Sequence, residues 1–365
     1  MNDRDRDRDR DLAPLDAGRR RLLQLALGTA SIALAAGARA VPADVAPPRV
    51  AFMTREAGAA ALARAPGDRY YATLGLMEIR ARLQSPLAGM SLADARVAVA
   101  EADAAAVLSF TDEECTAIRG VIERMQPLLA ARAPLYARTP WSFIKLDERA
   151  EGGMPHTRGP HIVLPKSVAD AMAKMHREMT DAGKLAVTQR GRNLLIHEQT
   201  HVLERLDPAR FEPLFTDVFG FARMAPAPAP ADAWLSAHRC TNPDGPDVEW
   251  AFPLGKIGGS GWVMPDVILR DVPVPRMPQD FETIAVEVAR TADGWKVVET
   301  DGLPNRRDLG KIPGYDAHFP FPDEDFHPNE IAAVTLAHWI LRDVPDLDAK
   351  PLMPAVAAWA KTALA

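Results

Sequence analysis

His197-Glu198-Gln199-Thr200-His201 sets two imidazoles four residues apart, with a carboxylate directly after the first. On a helix, positions i and i+4 share one face, so both rings can bind a single metal ion. Glu198 then points at the water that completes the ion's coordination, where it can act as general base in a hydrolysis. The flanks suit a buried helix. Leu194, Leu195 and Ile196 run up to the motif, and Val202 and Leu203 continue it. Asp207-Pro208 reads as the stop of this helix and the start of the next.

Two histidines leave the site one ligand short, because catalytic zinc commonly takes three protein ligands plus water. The chain has only two cysteines, Cys115 and Cys240, so the third ligand is expected to be a carboxylate or another His. Glu330 is the first choice. Pro328 suits a first helical position, which puts Glu330 in the first turn, and Ile331, Ala332 and Leu336 give that helix a small apolar face for close packing. Glu249 is the rival ligand, whereas Glu204, three residues beyond His201 on the same helix, reads as a supporting or surface carboxylate. One zinc per chain is expected from the motif type, although a His₂-carboxylate set also accepts manganese or cobalt.

The elements around the motif indicate an α+β fold. Residues 41–138 read as a helical N-terminal module. Ile79, Leu83 and Leu87, then Ile118, Ile122, Met125 and Leu128, recur at three- to four-residue steps, and Thr111 with Glu114 forms a helix-start signal. From 139 to 365 the pattern is mixed. Trp141 to Leu146 alternates like a strand, and His161 to Pro165 reads as a short edge strand closed by Pro. A helix from Ser167 to about Ala182 then leads to the metal helix, and another is expected from Asp207 to Phe221. A Pro-Ala linker runs from Met224 to Ala233. A β-rich insertion at about 240–310 includes a hairpin, Thr283–Ala289 with Trp295–Glu299, turning at Asp293-Gly294. Helices return from Pro328 to about Leu341 and from Leu352 to the end.

Strand, edge strand, helix, then an H-E-x-x-H helix is the order found in zincin metallopeptidases. A downstream glutamate as third ligand resembles the glutamate zincins (gluzincins). The resemblance covers about Trp141 to Leu341 and is specific at two short motifs; Glu330 follows His201 by 129 residues, a gap the β-rich insertion accounts for. A third His soon after the motif, which the metzincin pattern needs, does not occur between Val202 and Arg210. The resemblance implies cleavage of protein or peptide substrates, paired through main-chain hydrogen bonds to the edge strand. It also implies a Tyr or His near the third ligand to stabilise the oxyanion, for which Tyr315 and His318 are the candidates. Two other readings stay open: a zinc amidase acting on cell-wall peptides, and a non-catalytic periplasmic binding or scaffold protein.

Residues 1–40 read as an export signal. Arg19-Arg20-Arg21-Leu22-Leu23 resembles the twin-arginine consensus; Leu22 to Gly37 is too short to span a bilayer comfortably, and Ala38-Arg39-Ala40 fits a cleavage site. The expected location is therefore periplasmic or secreted, with no stable membrane insertion after cleavage. The whole chain carries a net charge of −6; residues 1–40 carry eight Arg and six Asp, a net of +2, which leaves the remainder near −8. An acidic chain without a basic patch argues against nucleic acid as a partner.

Overall fold

A computed structural model describes residues 46–64, 70–178, 181–225, 233–245, 249–322 and 325–365. The fold is α+β. The expected signal segment, and most of the Pro-Ala linker, lie outside the described residues. Among those described, no helix is long and apolar enough to cross a membrane.

The first sheet forms around the strand expected at Trp141. Its members are β1 (Val50–Phe52), β2 (Val107–Leu108), β3 (Trp141–Leu146), β4 (His156–Arg158) and β5 (His161–Pro165). The order is β1-β3-β5-β4, with β2 pairing antiparallel to β3. Two of these strands come from the region expected to be wholly helical. β5 runs parallel to β3 on one side and antiparallel to β4 on the other, so it is an interior strand. The edge expected at His161–Pro165 is instead β4. Pro165 lies beyond the β4 pairing, which stops at Val163, so it is flanked by β3 alone. Gly159-Pro160 make the two-residue turn of the β4–β5 hairpin, and Gly159 takes the positive φ (55°) that such a turn needs.

Helices cover this sheet. In chain order the longer ones are α1 (Arg55–Arg64), α2 (Leu76–Leu83), α3 (Leu92–Ala105), α4 (Asp112–Arg132), α5 (Lys166–Glu178) and α6 (Asp181–Leu206), the metal helix. Toward the C-terminus come α7 (Pro328–Leu341) and α8 (Met353–Ala363). α4 starts with the expected capping box: Glu114 N–H donates to Thr111 Oγ1 at 3.2 Å, and Thr111 N–H to Glu114 Oε2 at 2.7 Å. Its Ile118, Ile122, Met125 and Leu129 are fully buried in the main core with Trp141, Phe143, Ile162 and Leu164 of the sheet, Leu195 and Ile196 of α6, and Ile331, Ala332 and Leu336 of α7. α7 is apolar on all sides because it runs through this core, packed along α6.

The β-rich stretch is a second, antiparallel sheet: β6 (Ala222–Met224), β7 (Glu249–Pro253), β8 (Trp262–Leu269), β9 (Phe281–Thr291) and β10 (Gly294–Val297). A ribbon of β11 (Glu299–Thr300) and β12 (Leu303–Pro304) leads to β13 (Arg306–Asp308), which pairs with β9. The predicted hairpin is present, but Thr291 pairs with Gly294, so its turn is Ala292-Asp293, one residue earlier than expected. The helix expected over Asp207–Phe221 is broken into Pro208–Pro213 and a π-helical turn, Leu214–Val218. Pro213, which lacks an N–H, lies at the break. Cys115 and Cys240 are free thiols.

Candidate metal centre

The metal helix is fixed by the side facing away from its histidines. Leu195, Ile196, Val202 and Leu203 are at most 3% exposed, and Gln199 and Thr200 are fully buried. Thr200 Oγ1 donates to the Ile196 carbonyl (2.8 Å) and lies 2.7 Å from Tyr136 Oη, while Gln199 Nε2 donates to the Pro140 carbonyl at 3.2 Å. These ties set the rotation of α6, which leaves the i and i+4 imidazoles on its other face.

α7 brings the third group. Pro328 is at its first position and His327 is its N-cap, whose ring accepts from Asn329 N–H. Glu330 thus stands in the first turn, as expected, and its Oε2 lies 3.3 Å from His197 Nε2 and 3.3 Å from His201 Nε2. The two Nε2 atoms are 3.1 Å apart. A tetrahedral ion with bonds of 2.0–2.1 Å separates its ligand atoms by about 3.3 Å. The side chains therefore already hold the spacing that such an ion needs, and the group can hold a metal ion.

The neighbours fit the same purpose. His201 Nδ1 is 3.1 Å from Glu204 Oε2, which holds the ring with Nε2 toward the cluster, as metal-bound histidines usually are held. Asn242 Nδ2 donates to Glu330 Oε1 at 3.0 Å, so the other carboxylate oxygen is the one that meets the histidines. Glu198 is 3% exposed, and its Oε2 makes no hydrogen bond among the described residues. A buried carboxylate oxygen without a partner is expensive unless another group meets it.

Charge makes the same case. Glu198, Glu204, Asp244 and Glu330 are four buried carboxyls around two imidazoles. Burial first, then the nearby Asp244 carboxylate, pushes the Glu198 carboxyl up to about 8; burial likewise holds Glu204 at about 7 and raises Asp244. Burial also works against ionised Glu330, but His201 and His197 beside it win and hold its carboxyl well below the usual range. Burial disfavours a charged His201, yet Glu330 and Asp244 push it well above 6.5. Such a cluster favours positive charge at its centre, which a divalent cation would supply.

The remaining sequence candidates go elsewhere. Glu249, the rival ligand, is ion-paired with Arg239 at 2.7 Å. Tyr315 is fully buried between Phe252 and Phe319, and its hydroxyl donates to the Asp325 carbonyl at 2.8 Å. His318 packs on the same two rings with Nε2 3.3 Å from the Phe219 carbonyl. The structure brings neither into contact with the triad.

Asn242 and Asp244 stand in an Asn-Pro-Asp-Gly stretch, a turn by composition. Asp244 Oδ1 accepts from the Thr157 hydroxyl at 2.8 Å and from the Thr157 N–H on edge strand β4. Arg205 of the metal helix donates to the Pro243 carbonyl (2.9 Å), the Gly159 carbonyl (2.9 Å) and Thr157 Oγ1 (2.8 Å). Residues 241–245 thus form a strap over the β4 edge, and the Thr157 N–H of that edge is already taken. An Asn-Pro-Asp-Gly turn signals itself in sequence, but not the surface on which it closes. The chain matches no protein-family profile, no curated protein and no solved structure.

Proposed function

We propose that the protein is a zinc-dependent metallopeptidase of glutamate-zincin type, with His197, His201 and Glu330 as ligands and Glu198 as general base. The observation that carries this reading is the 3.1–3.3 Å spacing of the three ligand atoms beside a buried Glu198 with a partnerless oxygen. Zinc held by these three residues would supply Lewis-acid chemistry, polarising a scissile carbonyl and acidifying a water. Glu198 does the proton work: it takes the proton from that water and hands it to the leaving amine. Burial and Asp244 push its carboxyl up to about 8 in the metal-free protein; a cation beside it would favour the ionised form that a general base needs. Glu204 keeps the His201 ring in register, and Asn242 keeps Glu330 turned the right way. Peptide or protein substrates reach this centre without the Thr157 N–H, which Asp244 occupies.

Export through the twin-arginine route belongs to the same proposal and rests on Arg19-Arg20-Arg21 and the short apolar stretch after them. The test of the catalytic reading is Glu198→Gln, assayed on a peptide library beside the wild type. Loss of at least about a thousandfold in rate with zinc still bound supports general-base chemistry. Full activity in the variant rules it out.

A further inference from the structure

The helices before β3 carry a charge cluster that buries itself almost completely. Glu78 on α2 is fully buried, and Arg82, one turn later, has a side chain only 2% exposed. Arg82 Nε lies 3.3 Å from Glu78 Oε1 and Nη1 lies 3.2 Å from Asp103 Oδ2, and Arg82 also pairs with Glu151. The Tyr70 hydroxyl reaches Glu151 (3.0 Å) and Glu78 (3.4 Å). Buried ion clusters of this kind are poor sources of stability, because desolvation offsets much of the attraction. They do hold their members in one arrangement.

One oxygen of the cluster leaves it. Glu78 Oε2 accepts from the backbone N–H of Thr241 at 2.8 Å. A second contact ties the same places together. Gly75 precedes α2, and a Cβ there would lie 2.6 Å from the Ser236 carbonyl oxygen, so the start of α2 is pressed against the chain leading to the strap. Thr241 begins the strap, and the next residue, Asn242, holds Glu330 Oε1 at 3.0 Å and Asn329 Oδ1 at 3.2 Å. An unbroken path of short contacts therefore runs from Arg82 through Glu78, Thr241 and Asn242 to the third ligand.

We propose that Glu78 is a positioning residue for the metal centre: by holding the Thr241 N–H it fixes Asn242, and through Asn242 it sets which oxygen of Glu330 faces His197 and His201. The N-terminal helices then serve the site as the anchor of the strap. The proposal rests on the reading of the triad as a metal centre. Reach, not charge, is what Glu78 contributes to it.

Two substitutions separate reach from charge. Glu78→Asp keeps the negative charge beside Arg82 but withdraws the carboxylate from Thr241 by one methylene. Glu78→Gln keeps an oxygen at the same distance and removes the charge. The readout is cobalt(II) titration of the full protein, followed by its visible absorption, with circular dichroism checking the fold. We expect Asn242→Ala and Glu78→Asp each to weaken cobalt binding about 10- to 100-fold and to alter the spectrum. Glu78→Gln should stay within about threefold of wild type. The double variant Glu78→Asp/Asn242→Ala should bind no more weakly than Asn242→Ala alone, because both act through one path. If Glu78→Gln fails to fold, that comparison of single and double variants decides the matter.

Wild-type affinity and spectrum in Glu78→Asp would overturn the proposal while leaving the metal centre standing. Losses that multiply in the double variant would overturn it too. A wild-type protein that binds no cobalt would instead remove the metal centre itself.

Discussion

His201 Nδ1 and Glu204 Oε2 lie 3.1 Å apart, both buried, on successive turns of the metal helix. On the proposed reading, the helix supplies two ligands, the general base and the group that orients one of the ligands. With a cation bound, an Nδ1–H hydrogen bond to Glu204 would leave the Nε2 lone pair for the ion. Glu204→Ala should weaken metal binding by about 10- to 100-fold while the helix stays folded. Competition with a coloured chelator measures this, and unchanged affinity would show that the ring is oriented by other contacts.

Tyr315 is a structural residue in this account. Its hydroxyl meets the Asp325 carbonyl and its ring packs on Phe252 and Phe319. Tyr315→Phe should therefore lower stability by about 1 kcal/mol, the usual worth of one buried hydrogen bond, and leave the hydrolytic rate within about twofold. Urea unfolding and a peptidase assay read the two effects. A rate loss of a hundredfold without a change in stability would restore the oxyanion role.

The raised Glu198 carboxyl makes a pH-dependent prediction for the metal-free protein. Unfolded, this group releases its proton near pH 4.5; folded, it holds the proton to about 8. The folded state thus loses stability as pH rises from about 4.5 through 8, on the order of 2 kcal/mol or more from this group. Glu198→Gln has no proton to release. In chelator, its stability advantage over wild type should be small at pH 5 and largest above pH 8, as read from urea midpoints. Burial raises Glu204 and Asp244 as well, so the two proteins are compared with each other at each pH. An advantage independent of pH would mean that Glu198 ionises freely.

Legibility in the sequence followed locality. The histidine pair and Glu198 sit within five residues, and helical periodicity alone gives their geometry. Glu330 was legible because Pro328 marks where its helix begins, so that its place in the first turn could be counted. The β9–β10 hairpin was legible for the same reason, to within one residue at its turn. Strand order was not. His161–Pro165 has the composition of an edge, but pairing to both β3 and β4 depends on partners that no local pattern names. The strap is the clearest gap. Asn242 and Asp244 matter because of Glu330, 88 residues on from Asn242, and Thr157, 87 residues before Asp244, and turn chemistry carries no trace of either.

Metal content in the wild type and in Glu330→Ala tests the central claim most directly. Elemental analysis of the purified proteins, after exposure to zinc and removal of the excess, should find about one zinc per chain in the wild type and a marked loss in the variant, since two histidines alone make a weak site. Zinc retained by Glu330→Ala at the wild-type level, or no metal in the wild type, would contradict a centre built from His197, His201 and Glu330.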